Sequence, residues 1–522
     1  MNGWQQHLPV VPIVLPLATA AVLMLIDEQR RAWKHALALA SLLALLLASA
    51  ALVRAADLGA ALVYRLGGWP APFGIVLVAD RLSALMVLLA ALLGLAALLF
   101  SIARWDRAGP RFHGLLQVLL MGVNGAFLTG DLFNLFVFFE VFLAASYGLA
   151  LHGSGAARVQ ASLHYIVVNL VASLLFLVGA TLIYGVTGTL NLADLGARIP
   201  AVAAADRALL EAGAAVLGVA FLIKAGMWPL CFWLPRTYGA ASAPAAALFA
   251  ILTKVGIYAV LRIGLLFFGS AAGASAGFGQ QWLTNGGLAT LAFGAIGVLG
   301  AQELPRLAGF SLIASCGTLL AAVGAGSVAV SGAALYYLLA STLGVSALFL
   351  LIELVERGRA PGADLLAITE EAFGSVDDED EPDDEVGVAI PATWALLGLA
   401  FIGCVLLLAG LPPLPGFVAK LALLDALLRP DAVAPSAWVL IVLLLLSGLA
   451  TLVAASRTGV RIFWTPEQQL SARVRVIEML PVALLLGAGL ALALLAGPAL
   501  RYLDDAAQAL HAPHGYIEGV LR

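Results

Sequence analysis

The chain has 522 residues, of which 62% are hydrophobic and only 11% charged, with a formal net charge of −4. Soluble domains carry about 25% charged residues, so no soluble core hides this much apolar surface, and a soluble chain of this length would divide into several domains. No basic patch exists outside the loops to receive nucleic acid, which leaves the lipid bilayer as the solvent.

A helix needs about 20 apolar residues to cross the hydrocarbon core. Read at that length, the chain gives spans near 9–26, 35–53, 81–103, 112–129, 132–151 and 161–185. They continue near 208–231, 242–265, 282–301, 305–323, 330–355, 390–428, 435–456 and 477–499, about fourteen in all. The first lacks the basic segment that precedes a cleaved signal peptide and reads as a retained helix.

Cytoplasmic loops carry the excess of Lys and Arg. With both termini outside, 15 basic residues fall on the inner side and 9 on the outer, and the remaining 3 of 27 lie inside spans. That bias orients the chain as a multi-pass protein with both ends outside.

Two spans are irregular. A helix over 392–428 would be roughly 55 Å long against a core of about 30 Å. It carries the uncharged breaker Gly410-Leu411-Pro412-Pro413-Leu414-Pro415-Gly416, so we expect one discontinuous span unwound at mid-membrane. The seventh span is interrupted in the same way at Gly226-Met227-Trp228-Pro229. Each break lies five residues from a lysine, Lys224 before Pro229 and Lys420 after Pro415. Paired interrupted segments in two halves of a chain point to inverted repeats around a midplane site.

Of the four lysines, Lys34, Lys224, Lys254 and Lys420, the last three lie deep in apolar spans, whereas nearly every arginine is in a loop or at a span end. A charge at the centre of a span costs about 2.5–3.5 kcal/mol. Lysine, unlike arginine, gives up its proton when burial disfavours the ammonium, so it can carry protons. Snorkelling or static pairing is the plainer reading, and mid-span placement makes snorkelling awkward. Glu140 is an acid in mid-span with apolar neighbours throughout, and it is the natural partner for Lys224, because a lone buried carboxylate would protonate. Tyr258 shares a face with Lys254 at i+4 and is placed to bind a relay water. His164, Asn169 and Asn124 are weaker polar candidates, more often simple interhelical bonds.

The ten acids between Glu370 and Glu385 form a solvated loop or, on a sharper reading, a docking segment. Cys231, Cys316 and Cys404 sit in apolar runs with neither Cys-x-x-Cys nor a neighbouring histidine, the pattern of small core residues rather than of disulfides, zinc or iron–sulfur ligands. The tail 502–522, with His511 and His514, offers no defined motif.

Four stretches carry a family resemblance: Phe138-Phe139-Glu140, the run from Phe221 through Lys224 and Pro229 to Pro235, Thr253-Lys254 through Tyr258 to Arg262, and Gly410 through Pro415 to Lys420. Together they resemble the proton-translocating antiporter-like family, which includes large membrane subunits of respiratory complex I and of multisubunit Na+/H+ (Mrp-, Mnh- or Pha-type) antiporters. The match is closest to the D-type branch of the antiporter subunits, by the acidic insertion before Val386 and by a lysine, not a glutamate, at 420. The resemblance implies an all-α polytopic membrane fold of about 14 helices, with two inverted five-helix repeats and two discontinuous helices. The chain then divides into helices 1–3 over 1–110 and a first repeat over 111–268. A second repeat over 282–465, with a cytoplasmic acidic loop at 369–386, precedes a last helix and tail at 466–522.

The same resemblance puts Glu140, Lys224, Lys254 and Lys420 on the family's proton-transfer positions, with Tyr258, His164, Pro229 and Pro415 supporting them. It implies no cofactor and no metal of the chain's own. It implies a secondary-transporter subunit in a bacterial plasma membrane, partnered by other antiporter subunits, the lipid bilayer, protons and Na+. Relatives often carry His or Lys where this chain has Ala340 and Val345, so a relay from Lys254 to Lys420 needs water, Ser341, Thr342 or Tyr337. Two rival readings are a proton-pumping subunit of a complex I-like redox assembly and a non-transporting scaffold subunit.

Overall fold

The computed structural model describes residues 5–59, 61–358, 392–463 and 474–522, and the acidic block at 370–385 lies outside them. Hydrocarbon offers backbone groups no water, so a spanning chain satisfies each N–H and C=O within its own helices. The first half runs α1 (Val11–Leu25), α2 (Arg31–Leu58), a hairpin of β1 (Leu62–Arg65) and β2 (Val76–Ala79), α3 (Arg81–Ala103), α4 (Phe112–Leu128) and α5 (Leu132–Ala150). It continues with α6 (Ala156–Thr187), α7 (Leu192–Arg198), α8 (Ala204–Ala225), α9 (Leu234–Ala240) and α10 (Ala243–Phe268). The second half has α11 (Gln280–Gly300), α12 (Leu304–Gly324), α13 (Val328–Glu356), α14 (Ala392–Ala409), α15 (Pro415–Leu428), α16 (Pro435–Phe463) and α17 (Val476–Leu494). Two helices, α18 (Ala496–His511) and α19 (His514–Leu521), follow. Among the described residues thirteen helices are long and apolar enough to cross a membrane, and α4 is a shorter apolar helix.

Packing sorts these helices by what surrounds them. In α10 and α13, 94% of the most apolar stretch is buried, against 33% in α2 and in α14, which turn leucines such as Leu47 and Leu399 outward. Apolar residues suit both lipid and protein neighbours, so small residues mark the interior instead. Gly294 of α11 faces the backbone of Ala314 on α12, and Gly324 of α12 faces Thr284 on α11, which lets the two helices lie against each other. Around this interior, α10 packs on α3, α8, α12 and α13, and α13 packs on α12, α15, α17 and α18.

One end of the molecule is closed by the hairpin, paired Leu62 to Ala79 through Arg65 to Val76. Leu77 bridges to Thr129, and Asp131 to Asn191. The tail, which has no motif in sequence, folds over this end. Tyr502 donates its hydroxyl to the Arg81 carbonyl at 2.9 Å, and His511 Nε2 lies 3.0 Å from Ser331 Oγ. Beneath the tail, Arg262 of α10 makes a two-pronged pair with Asp80, the N-cap of α3, one prong at 2.7 Å. Its guanidinium is 5.4 Å from the ring centres of both Tyr258 and Tyr516. Burial alone would raise the Asp80 carboxyl, but Arg262 and the Ser83 hydrogen bonds outweigh it and hold the group below its ordinary 3.8.

The opposite end gathers the arginine-bearing loops. Arg357 pairs with Glu478 at 2.8 Å, Arg158 donates to the Ala240 carbonyl at 2.8 Å, and Trp105 Nε1 donates to Glu353 at 2.6 Å.

Removing one partner of a buried pair leaves the other charge uncompensated. Asp80→Ala is therefore expected to destabilise the protein by about 3–5 kcal/mol, read as a lower melting temperature of the purified chain in detergent. Because the folded carboxyl titrates below its unfolded value, the pair's contribution is whole at neutral pH and fades only as pH falls below that ordinary value.

Candidate functional site

Glu140, Lys224, Lys254 and Lys420 form a row on α5, α8, α10 and α15, in which α10 packs on α5 and α8, and α13 lies between α10 and α15. The two breaks in the row are built alike. Helix α8 ends at Gly226 and α14 at Gly410, both with positive φ (72° and 79°), and each is closed by a six-residue turn. Met227 N–H bonds the Leu222 carbonyl at 3.0 Å, and Leu411 N–H the Leu406 carbonyl at 2.9 Å. Pro229 sits in the turn after the first break, and Pro415 is the first residue of α15, where its missing N–H costs nothing.

Lys224 lies in the last turn of α8, 4% exposed, and among the described residues its Nζ has no hydrogen-bond partner. The ammonium sits 5.0 Å from the centre of the Phe139 ring, a contact worth about 0.5–2 kcal/mol. The expected Lys224–Glu140 ion pair is not formed. Glu140, half-buried on α5, instead accepts a short hydrogen bond from Ser173 of α6. Ser173 is missed in sequence because a serine in an apolar span looks like any small interface residue.

Gly256 brings the next lysine close. A Cβ there would stand 2.7 Å from the Ala225 nitrogen, so α10 presses its backbone against the end of α8 two residues past Lys254. Lys254 is fully buried, and its Nζ donates to Ser315 Oγ at 3.1 Å and lies 3.6 Å from Cys316 Sγ, both on α12. Ser315 in turn donates to Ser341 Oγ of α13 at 2.9 Å. Cys316 is thus more than core filling. Tyr258 shares α10 with Lys254, but its hydroxyl is engaged by the Phe127 carbonyl at 2.7 Å.

Beyond Ser341 lies a cavity of about 20 Å³ lined by Ser315, Tyr337, Ala340, Ser341, Thr451 and Lys420. That volume admits one water. Ala340, small and unable to titrate, borders the space, whereas Val345 is buried elsewhere in α13, and the Leu338 carbonyl accepts from the Thr342 hydroxyl at 2.6 Å and from the Ser341 hydroxyl at a longer 3.3 Å. On the far wall Lys420 Nζ donates to the Ala409 carbonyl at 2.7 Å, the group that the break would otherwise orphan. His164 is not part of the row. It is exposed on the outer side of α6, with Nδ1 3.0 Å from the Gln160 carbonyl. Asn124 and Asn169 spend their amides on the Pro12 and Tyr165 carbonyls.

Comparison with known proteins gives a consistent result. A family model described as NADH:quinone oxidoreductase/Mrp antiporter, TM, matches residues 129–451. The chain is 57% identical to the D-type subunit of a probable K+/H+ antiporter of Rhizobium meliloti (strain 1021), covering 100% of this chain and 98% of that protein. It is 34% identical to the D-type subunit of the Na+/H+ antiporter of Bacillus subtilis (strain 168), covering 98% and 99%. Among solved structures it superposes on a chain of the Mrp complex from Dietzia sp. DQ12-45-1b with a TM-score of 0.84, at 29% identity and 100% coverage of both. The fold also matches a chain of respiratory complex I from Thermus thermophilus, with a TM-score of 0.76 at 24% identity over 97% and 99% of the two chains.

Gly448 of α16 leaves the room that Lys420 occupies, since a Cβ there would lie 2.8 Å from Lys420 Nζ and 2.7 Å from the Ala409 oxygen. Gly448→Ala is expected to cost about 1–3 kcal/mol by overpacking, read as a lower melting temperature. Gly487→Ala, with open space around its Cβ, is the neutral control.

Proposed function

This chain belongs to the NADH:quinone oxidoreductase/Mrp antiporter transmembrane family, and from that premise we propose that it is the proton-conducting subunit of a multisubunit antiporter exchanging protons for a monovalent cation. It works in a bacterial plasma membrane beside other antiporter subunits and is a transporter, not an enzyme. The names of its relatives, K+/H+ in one case and Na+/H+ in the other, support the cation class.

The observation that carries the path is the hydroxyl run from Lys254 through Ser315 and Ser341 to the small cavity against Lys420. A hydroxyl accepts from one neighbour while donating to the next, so it passes a proton without holding a charge. Ser315 and Ser341 supply the hydroxyls where Ala340 offers no titratable group, and the alanine leaves space for the water that completes the link to Lys420. In the other direction Lys224, with no fixed counter-ion, takes and releases its proton as Glu140 approaches or withdraws. Bringing a carboxylate near favours the ammonium, and removing it favours proton release. Lys254 relays laterally and Lys420 exchanges with one bulk phase.

Everted vesicles carrying the assembled complex test this, with proton flux driven in turn by Na+ and by K+. Glu140→Ala or Lys224→Ala should abolish cation-dependent flux. Ser315→Ala with Ser341→Ala should slow it by about 100-fold, the lower range for loss of a proton-transfer group. Normal flux in these variants, with assembly verified on native gels, would sink the reading.

A further inference from the structure

We propose that His35, Asp106 and His113 form a binding site for a transition-metal dication of the zinc class, at the end of the molecule that carries the arginine-rich loops. The three residues come from separate elements. His35 is the fifth residue of α2, Asp106 lies in the short turn Trp105–Arg107 after α3, and His113 is in the first turn of α4. One ligand atom from each lies within 4.8 Å of the others. Ligand atoms in a tetrahedral shell with bonds of about 2.1 Å stand about 3.4 Å apart, so the set closes on an ion when its side chains draw in by up to about 1.4 Å.

The independent sign of a ligand is unsatisfied polarity. His113 is 94% buried, at 6% exposure, yet neither ring nitrogen has a hydrogen-bond partner among the described residues. The second oxygen of Asp106, a side chain only 5% exposed, is likewise unpartnered. A buried imidazole with both nitrogens idle carries a desolvation cost with no return inside the chain. A metal bond would engage one His113 nitrogen and the idle Asp106 oxygen. The remaining contact, His35 Nε2 to Asp106 Oδ2 at 2.8 Å, already couples the other two ligands.

The donor set selects the ion. Two imidazoles and one carboxylate suit zinc and its transition-metal neighbours, whereas Na+, K+, Mg2+ and Ca2+ seek oxygen ligands. Lys34 is held by Glu28 at 2.8 Å, and Arg31 and Arg107 line the adjoining cavity of about 280 Å³. Three protein ligands leave a fourth position open toward this cavity, for water or for the Glu28 carboxylate. The support is built as well: His152 Nε2 bonds the Trp105 carbonyl at 2.7 Å and so fixes the turn that presents Asp106. A bound ion would clamp the starts of α2 and α4 to the end of α3.

The test uses the full-length chain purified through a tag without histidine and stripped by a chelator. Zinc alone is titrated against it calorimetrically, and its melting is followed with and without zinc. One zinc per chain is expected, with a raised melting temperature. His113→Ala and Asp106→Asn should each weaken binding at least about ten-fold and erase the thermal shift, with unchanged circular dichroism and unchanged melting in the chelator. Zinc-edge X-ray absorption should show an imidazole-containing shell, and magnesium should not compete. Absence of stoichiometric zinc, equal affinity in both variants, or displacement by equimolar magnesium overturns the proposal.

Discussion

Hydrocarbon supplies no hydrogen bonds, so a helix broken inside a membrane must find a partner for each backbone group that the break releases. At the second break that partner is a lysine: the Ala409 carbonyl accepts from Lys420, and one contact serves both an orphan carbonyl and a buried amine. At the first break the released donor, Trp228 N–H, is taken up by Thr290 of α11 at 2.9 Å, and Lys224 is left facing an aromatic ring. Similar backbone turns thus end in different chemistry. The difference follows from which side of the break the lysine occupies, since Lys224 precedes Gly226 and Lys420 follows Gly410.

The need to enclose these groups accounts for much of the packing. Lys254 can sit at the centre of α10 because α10 is surrounded by protein rather than lipid, with serine hydroxyls supplied by α12 and α13. Helices around the lysines approach closely where glycine replaces a side chain, α10 against α8 at Gly256 and Ala225, and α16 against α14 at Gly448 and Ala409. Small residues, interrupted helices and buried amines are therefore parts of one arrangement. Changing a glycine in it displaces a charge, which changing an exposed glycine such as Gly487 does not.

What the sequence made legible is what hydrocarbon makes costly. Lysines in mid-span stand out because arginines avoid those positions, and proline runs mark the breaks because proline cannot continue a helix. Hydroxyls do not stand out. Ser173 and Ser315 read as small interface residues, Ser341 is one of several candidates for the gap near 340, and only the helix rotations given by packing turn them toward Glu140, Lys254 and the cavity. His164 is the converse case, because a long helix has an exposed face as well as a packed one and residue type alone does not assign it. The histidine and aspartate cluster on α2, α4 and the turn between α3 and α4 was invisible because its members are 71 and 78 positions from His35. The tail lacked a motif because its fold depends on what it covers, through Tyr502, His511 and Tyr516.

Glu140 ties these observations to the proposed path. Two isolated charges in low dielectric would collapse into a fixed pair, and a fixed pair does not switch. Ser173 offers the carboxylate a second partner, so separation from Lys224 does not leave the acid without a hydrogen bond. The Phe139 face does the same for the ammonium at a lower energy. With an alternative contact for each member, the open and closed forms of the pair come closer in energy than either charge alone would allow. On the proposed path, a small energetic bias between two such arrangements would let a change elsewhere in an assembly move a proton here.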